Sequence, residues 1–161
     1  MTDTTLDPGL ALVDHNQDEA DFTGGADPAL IEQAERLLGL TFPPSYREFL
    51  ARLGAGELAG EEFYGIIPGL DMNDPTVPNM VGITKELHSA GTLPADMVVI
   101  GSTGYGPYYV IDTGRPNPRG EAPVLVWYPG MSTRENAERD AESFGEFFTA
   151  EVADALRDLD H

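Results

Sequence analysis

The clearest pattern in the chain is a helical spacing of apolar residues between positions 28 and 38. The apolar residues that fall on one face of this helix are Leu30, Ile31, Ala34, Leu37 and Leu38. Asp27 is a favourable N-cap, Pro28 suits the first helical position, and Gly39 supplies a left-handed end. The pattern therefore predicts a helix over 28–38.

The next helix is bounded by proline at its start and glycine at its end. Phe42-Pro43-Pro44 requires an extended approach, because a residue before proline avoids the helical region. Pro44 then opens a helix that should end before Gly54. The apolar residues on its inner face are Tyr46, Phe49, Leu50 and Leu53.

Two further helices are predicted nearer the C-terminus. Asn79 is a candidate N-cap for a weaker helix that runs to about Ser89. Ser143 begins the last helix, and Glu146, three residues on, completes a capping box.

Runs rich in β-branched and aromatic residues predict strands at 61–67, 97–100, 108–111 and 124–128. The second and third runs are separated by the glycine-rich turn 101–107, which predicts a hairpin. The order of helices, strands and a final helix predicts an α+β fold. We expect a single domain with a mostly antiparallel β-sheet packed against helices.

Residues 1–25 show no apolar period and end in Gly24-Gly25. They are acidic, and no Lys or Arg precedes Arg36. We expect a mobile or loosely docked extension here and a domain over 26–161. The apolar residues that could hold part of the extension to the domain are Leu10, Leu12, Val13 and Phe22.

The net charge is the strongest global feature of the chain. Nine basic residues face 28 acidic ones, for a net charge of −19. This charge repels a phosphate backbone, so we expect no direct nucleic-acid binding, and it attracts basic proteins. The alternative is that the charge serves only solubility. The chain has no apolar run long enough to span a membrane, no cysteine, and no basic-then-apolar leader at its N-terminus, so a cytoplasmic protein is the simplest interpretation.

No motif indicates catalysis. The turn Gly101–Gly106 lacks the lysine of a phosphate-binding loop and leads into a strand. Asp71-Met72-Asn73-Asp74-Pro75 departs from a calcium loop at Pro75. The three histidines are scattered. We therefore predict no enzyme activity, no catalytic residue, no cofactor and no metal site.

The order of several short motifs resembles the SUKH superfamily from about Asp27 to Leu156. The residues that carry this resemblance are Ile31-Glu32, Glu35, Leu38-Gly39, Phe42-Pro43-Pro44-Ser45-Tyr46, Phe49-Leu50, Gly54, Gly56, Tyr64-Gly65, Leu93-Pro94, Val99-Ile100-Gly101, Gly106, Tyr109-Val110-Ile111-Asp112, Val124 to Trp127, Ser143-Phe144 and Phe147. One departure is Pro107, where the family often has a polar residue.

The resemblance implies a binding function. Bacterial members of the superfamily typically bind and block a toxin domain, often a nuclease, whereas fungal members regulate cell-wall assembly. An acidic antidote would complement the basic cleft of a nuclease. We therefore expect a bacterial immunity protein that neutralises a basic polymorphic toxin stoichiometrically. The alternative is a non-catalytic regulatory scaffold that binds a cellular protein.

We expect the partner to contact carboxylates and tyrosines near the glycine-rich exit of the second helix, the following loop and the hairpin turn. Tyrosine rings supply contact area and carboxylates supply orientation against a basic cleft. For Tyr64 and Tyr108 a place in the core is an equal alternative, whereas Tyr105 should be exposed at the turn. The predicted partner-binding residues are Glu57, Glu61, Glu62, Tyr64, Asp71, Asp74, Tyr105 and Tyr108.

Overall fold

The computed structural model describes residues 5–76 and 78–159. In these ranges the strands form two antiparallel sheets, with the orders β1-β2-β3 and β4-β5-β6-β7. This arrangement confirms the predicted single α+β domain with antiparallel sheets. The elements in chain order are α1 (Asp7–His15), β1 (Ala20–Phe22), α2 (Pro28–Leu38), α3 (Pro44–Arg52), β2 (Gly56–Leu58), β3 (Glu61–Phe63), α4 (Met80–Ser89), β4 (Met97–Ser102), β5 (Tyr108–Asp112), β6 (Val124–Trp127), β7 (Glu138–Ala141) and α5 (Phe144–Leu159).

The core is built around aromatic rings from α3, β3 and α5. The ring centroids of Phe63 and Phe148 are 4.7 Å apart, and those of Phe49 and Phe144 are 5.1 Å apart. Both pairs are tilted, the arrangement that aromatic quadrupoles favour. The two sheets meet just beyond β3, where the Tyr64 N–H donates to the Ile100 carbonyl over 2.9 Å. The helix α5 contacts β3 of the first sheet and β7 of the second, so it packs against both sheets.

The predicted helices are present, but two of their expected caps differ. The helix α2 has the predicted bounds, with Gly39 left-handed at φ +70°. Asp27 and Asn79 occupy the N-cap positions of α2 and α4 without donating or accepting a side-chain cap bond. The Asn79 amide instead donates to three carbonyl oxygens of the preceding loop, at residues 71, 72 and 74. Ser143 caps α5 as predicted, since its hydroxyl accepts from the Glu146 N–H over 3.1 Å.

The predicted hairpin is present as β4 and β5, but three strands, β1, β2 and β7, were not predicted. The strand β7 has three exposed residues out of four, so it lacks the alternation that marks a half-buried strand. The strand β2 holds only Gly56, Glu57 and Leu58, too short a run to show a period. The predicted strand at 61–67 is regular only as β3, and Gly65 forms an isolated bridge to Asn79.

The segment before residue 25, expected to be a mobile or loosely docked extension, contains regular elements. The helix α1 packs on α5, and β1 pairs with β2. Leu10 and Val13 are buried in the common core. The helix was missed because Pro8 and Gly9 lie in its first turn and Gly9, which contacts α5, adds no apolar signal. The domain boundary at residue 25 stays a prediction.

Candidate protein-binding surface

Three carboxylates lie side by side across the first sheet. Asp21 of β1 is directly opposite Glu57 of β2, and Glu57 is directly opposite Glu62 of β3. Directly opposed residues of antiparallel strands project to the same face, about 5 Å apart. We call this set, Asp21, Glu57 and Glu62, the acidic row. Asp21 and Glu57 are exposed and Glu62 is partly so, which leaves the row open to solvent.

The acidic row places like charges against one another. Burial raises the pKa of Glu62, and the neighbouring charge of Glu57 raises it further. Like charges directly opposite on a sheet are destabilising. A cation that approached this face would relieve the repulsion, so the row favours a positively charged partner.

Two predicted tyrosines lie next to the acidic row, but only one offers surface. Tyr64 is 3% exposed, and burial raises its pKa to about 12, with smaller contributions from Glu62 and Tyr108. The Tyr64 side chain is therefore part of the core, the alternative that the sequence left open, and it does not supply contact area. Tyr108 is partly exposed and opposes Ser102 of β4.

Glu61 lies on the other face of β3, away from the acidic row. Alternation along the strand groups Glu61 with Phe63, whose ring contacts Phe148 of α5. The Glu61 carboxyl group hydrogen-bonds to that of Glu151 on α5. Burial, followed by the charge of Glu61, raises the pKa of Glu151 to about 7. Glu151 was not predicted, although it lies one helical turn after Phe147, at the edge of the buried face.

Tyr105 is at the tip of the β4–β5 turn, 72% exposed, as predicted. Its side chain shares hydrogen bonds with Tyr128 and Thr103 and interacts with the charge of Glu138 of β7. The ring of Tyr109, on the same side of the sheet, lies 4.8 Å from that of Phe147. Tyr105 is therefore on the α5 side of the sheet, with Glu61 and not with the acidic row.

Asp71 and Asp74 are engaged by their own loop. Asp71 Oδ1 accepts from the Asn73 N–H over 2.9 Å. Asp74 Oδ1 accepts from both the N–H and the hydroxyl of Thr76, and these bonds lower the pKa of Asp74. The eight predicted residues are thus divided among two sheet faces and a loop. Asp21 completes the row, and the residues around it show no period long enough to place it on a strand.

The described residues include no group of three His, Cys, Asp or Glu side chains arranged to hold a metal ion. Nor does the described part of the chain contain a helix long and apolar enough to cross a membrane. What the two sheet faces present instead is carboxylates and tyrosine rings. Such surfaces recognise proteins through charge and aromatic contact area.

The fold and these surfaces define a small α+β protein of the SUKH type. The model of the family SUKH_6, described as SMI1-KNR4 cell-wall, matches residues 28–148. The chain therefore belongs to this family, as its motifs predicted. Proteins of this family are generally non-catalytic immunity or regulatory proteins that bind other proteins.

Proposed function

We propose that this protein is a bacterial immunity protein that binds one cognate toxin domain, a nuclease, and blocks it stoichiometrically without catalysis. Membership of the SUKH_6 family supports a role of this kind. The observation that carries the proposal is the acidic row, Asp21, Glu57 and Glu62, on an open sheet face.

The charge of the row is complementary to a nuclease. A nuclease must hold a phosphate backbone, so its cleft is lined with Lys and Arg. Cations from such a cleft would relieve the repulsion between Glu57 and Glu62 at the same time as they bind. The net charge of −19 would also accelerate the encounter.

We propose the acidic row, with the partly exposed Tyr108 beside it, as the centre of the contact. Glu61 and Tyr105 lie on the α5 side of the molecule, outside this contact. The carboxylates of Asp71 and Asp74 are held by their own loop, so we do not propose them as direct contacts. Their proposed role is to add to the negative field around the contact.

The first experiment is capture of the partner from the native cell with a tagged chain, followed by mass spectrometry. We expect one stoichiometric basic protein with a toxin-like domain whose nuclease activity the purified chain blocks at an equimolar ratio. Association should slow as salt is raised, because screening removes the steering field. A captured enzyme whose activity is unaffected would contradict the proposal.

Charge reversal locates the contact. The double variant Glu57→Lys, Glu62→Lys should weaken binding of the captured toxin by about a hundredfold or more. The reason is that two carboxylates that attract the basic cleft are replaced by two ammonium groups that repel it. The matched control is Glu32→Lys with Glu86→Lys, which makes the same change in net charge at exposed positions of α2 and α4. The control should lose only part of the association rate. Equal losses in the two double variants would show that net charge, and not the row, matters.

A regulatory scaffold is the second candidate, and the family description as a cell-wall family favours it. In that case the captured partner would be a housekeeping protein without toxin activity. The acidic row would serve the same kind of contact, so the identity of the partner separates the two functions.

A further inference from the structure

Large apolar side chains are exposed together at one end of the second sheet. Tyr105 is 72% exposed and Met131 is 77% exposed. Tyr128 lies between them, since it shares a hydrogen bond with Tyr105 and its carbonyl accepts from the Met131 N–H over 3.0 Å. We call these three residues the anchor surface. The remaining large hydrophobic residues that are exposed in the described ranges, Leu37 and Leu159, lie on separate helices.

The anchor surface borders a groove. Tyr128 and Met131 line it together with Val126 and Ala137, and its volume is about 300 Å³. This is at the lower end of the range for small-molecule pockets. The groove is therefore better matched to a side chain inserted by another protein than to a cofactor.

Carboxylates edge the same face. Val126 is directly opposite Glu138 of β7, so Glu138 projects to the groove side. Asp140 lies at an irregularity in the pairing of β6 with β7, and its pKa is raised by burial and then by the charge of Glu138, which indicates that the two carboxylates are close together. Arg139 projects to the other face, where it pairs with Glu142 over 2.9 Å. Within the described residues neither Glu138 nor Asp140 forms an ion pair with Lys, Arg or His.

We propose that the anchor surface receives an apolar side chain of a basic partner protein, whose flanking Lys or Arg residues pair with Glu138 and Asp140. This inference rests on the proposed function, because it concerns the same basic partner, and it adds the position of an apolar anchor. A buried apolar or aromatic residue within a ring of polar contacts is the usual energetic centre of an interface. The net charge argues against a second copy of this chain, since two molecules of charge −19 repel each other.

Two short fluorescent peptides of equal charge test the anchor without knowledge of the partner. Both contain the same lysines, and one has a central Leu-Phe where the other has Ser-Ser. We expect the apolar peptide to bind the full chain about tenfold more tightly in fluorescence anisotropy, because it removes apolar area from water. The difference should persist at raised salt, where screening weakens the lysine contacts of both peptides.

Serine substitutions place the effect. Met131→Ser should reduce the tenfold preference to about twofold or less, and Tyr128→Ser should do the same. Met131 is so exposed that its replacement should leave the fold intact, which a thermal melt verifies. The matched control is Leu159→Ser, at a residue 51% exposed near the end of α5, and it should keep the full preference.

The results separate this inference from the function on which it rests. Equal affinities of the two peptides, no binding of either, or a preference that survives Met131→Ser would overturn the anchor. A concentration-dependent dimer that Met131→Ser dissolves would also overturn it, in favour of a second copy. A captured toxin could bind the Met131→Ser variant normally and fail to bind the Glu57→Lys, Glu62→Lys double variant. That result would contradict the anchor surface and leave the proposed function standing. If the apolar peptide is preferred and Met131→Ser abolishes the preference, but no toxin is captured, the proposed immunity function is contradicted and the anchor surface stands.

Discussion

A single buried carboxylate, Glu121, joins three parts of the chain that are distant in sequence. Its two oxygens accept from the N–H and the hydroxyl of Ser45, over 2.9 and 2.7 Å, at the start of α3. The same Ser45 hydroxyl accepts from the Gly145 N–H in the first turn of α5. A negative charge at a helix N-terminus is favourable because the free N–H groups and the helix dipole face it. Glu121 therefore holds the loop after β5 against both helices.

Replacement of Glu121 should be costly to stability. Glu121→Ala removes two charged hydrogen bonds and leaves a buried N–H without its acceptor, so we expect a loss of about 3 kcal/mol in the free energy of unfolding. Urea denaturation measures it. Glu86→Ala, at an exposed carboxylate of α4, is the control and should change stability by less than about 0.5 kcal/mol. If both variants unfolded at the same urea concentration, Glu121 would have no such role.

At the scale of elements, the contact between α1 and α5 depends on small residues. A Cβ at Gly9 would lie 2.7 Å from Phe148 Cδ2, and one at Gly145 would lie 2.3 Å from the Thr5 hydroxyl oxygen. The Gly9 N–H also donates to the Thr149 hydroxyl over 3.1 Å. The glycines let the two helices approach closely enough for this bond. The close packing keeps α1 on the domain, and β1 follows it to carry Asp21 into the acidic row.

A larger side chain at Gly9 should displace α1. We expect Gly9→Leu to lower the free energy of unfolding by about 1–3 kcal/mol through overpacking against Phe148. Hydrogen exchange should become faster in α1 and β1 while α2 stays protected. Ala11→Leu is the matched control, because Ala11 is exposed on the same helix. Unchanged exchange in Gly9→Leu would mean that α1 does not depend on this contact.

At the scale of the whole molecule, several carboxyl groups lie close together where β3, β7 and α5 meet. Glu61 of β3 and Glu151 of α5 share a hydrogen bond between their carboxyl groups, which requires a proton on one of them. Burial also raises the pKa of Asp140 in β7, and the charges of Glu138 and Glu146 raise it further. The same side of the molecule therefore holds carboxyl groups that retain protons above their ordinary pKa.

This arrangement makes stability depend on pH. The pKa of Glu151 is about 7 in the folded chain against an ordinary value of 4.5, so the folded state binds more protons between these values. Stability should therefore fall as the pH rises from about 4.5 to about 7 and then level off. Thermal unfolding across this range should show a shallower decline for Glu151→Gln than for the unmodified chain. Asp158→Asn, on an exposed position of the same helix, should follow the unmodified chain. Parallel profiles for all three proteins would contradict the assignment.

The candidate site was predictable in part. Glu57, Glu62 and Tyr105 were named from the sequence because acidic and aromatic residues beside glycines indicate exposed turns and edges. Alternation alone already implies that Glu61 and Glu62 project to opposite faces of a strand. Of the anchor surface only Tyr105 was predicted, since Tyr128 was assigned to the end of a strand and Met131 follows it without any periodic pattern.

The sequence by itself determined the bounds of α2, the hairpin of β4 and β5, the Ser143 cap of α5, the family and the acidic charge. The helix, the hairpin and the cap depend on local spacing and on turn and cap chemistry, which a few neighbouring residues carry. The charge follows from composition, and the family follows from the order of short motifs along the chain. Only the tertiary structure decided that Asp21 completes the acidic row, that Tyr64 is buried and that Glu61 meets Glu151. Strand register and helix docking are set by the packing of the whole core, which joins residues far apart in the chain, so no local pattern specifies them.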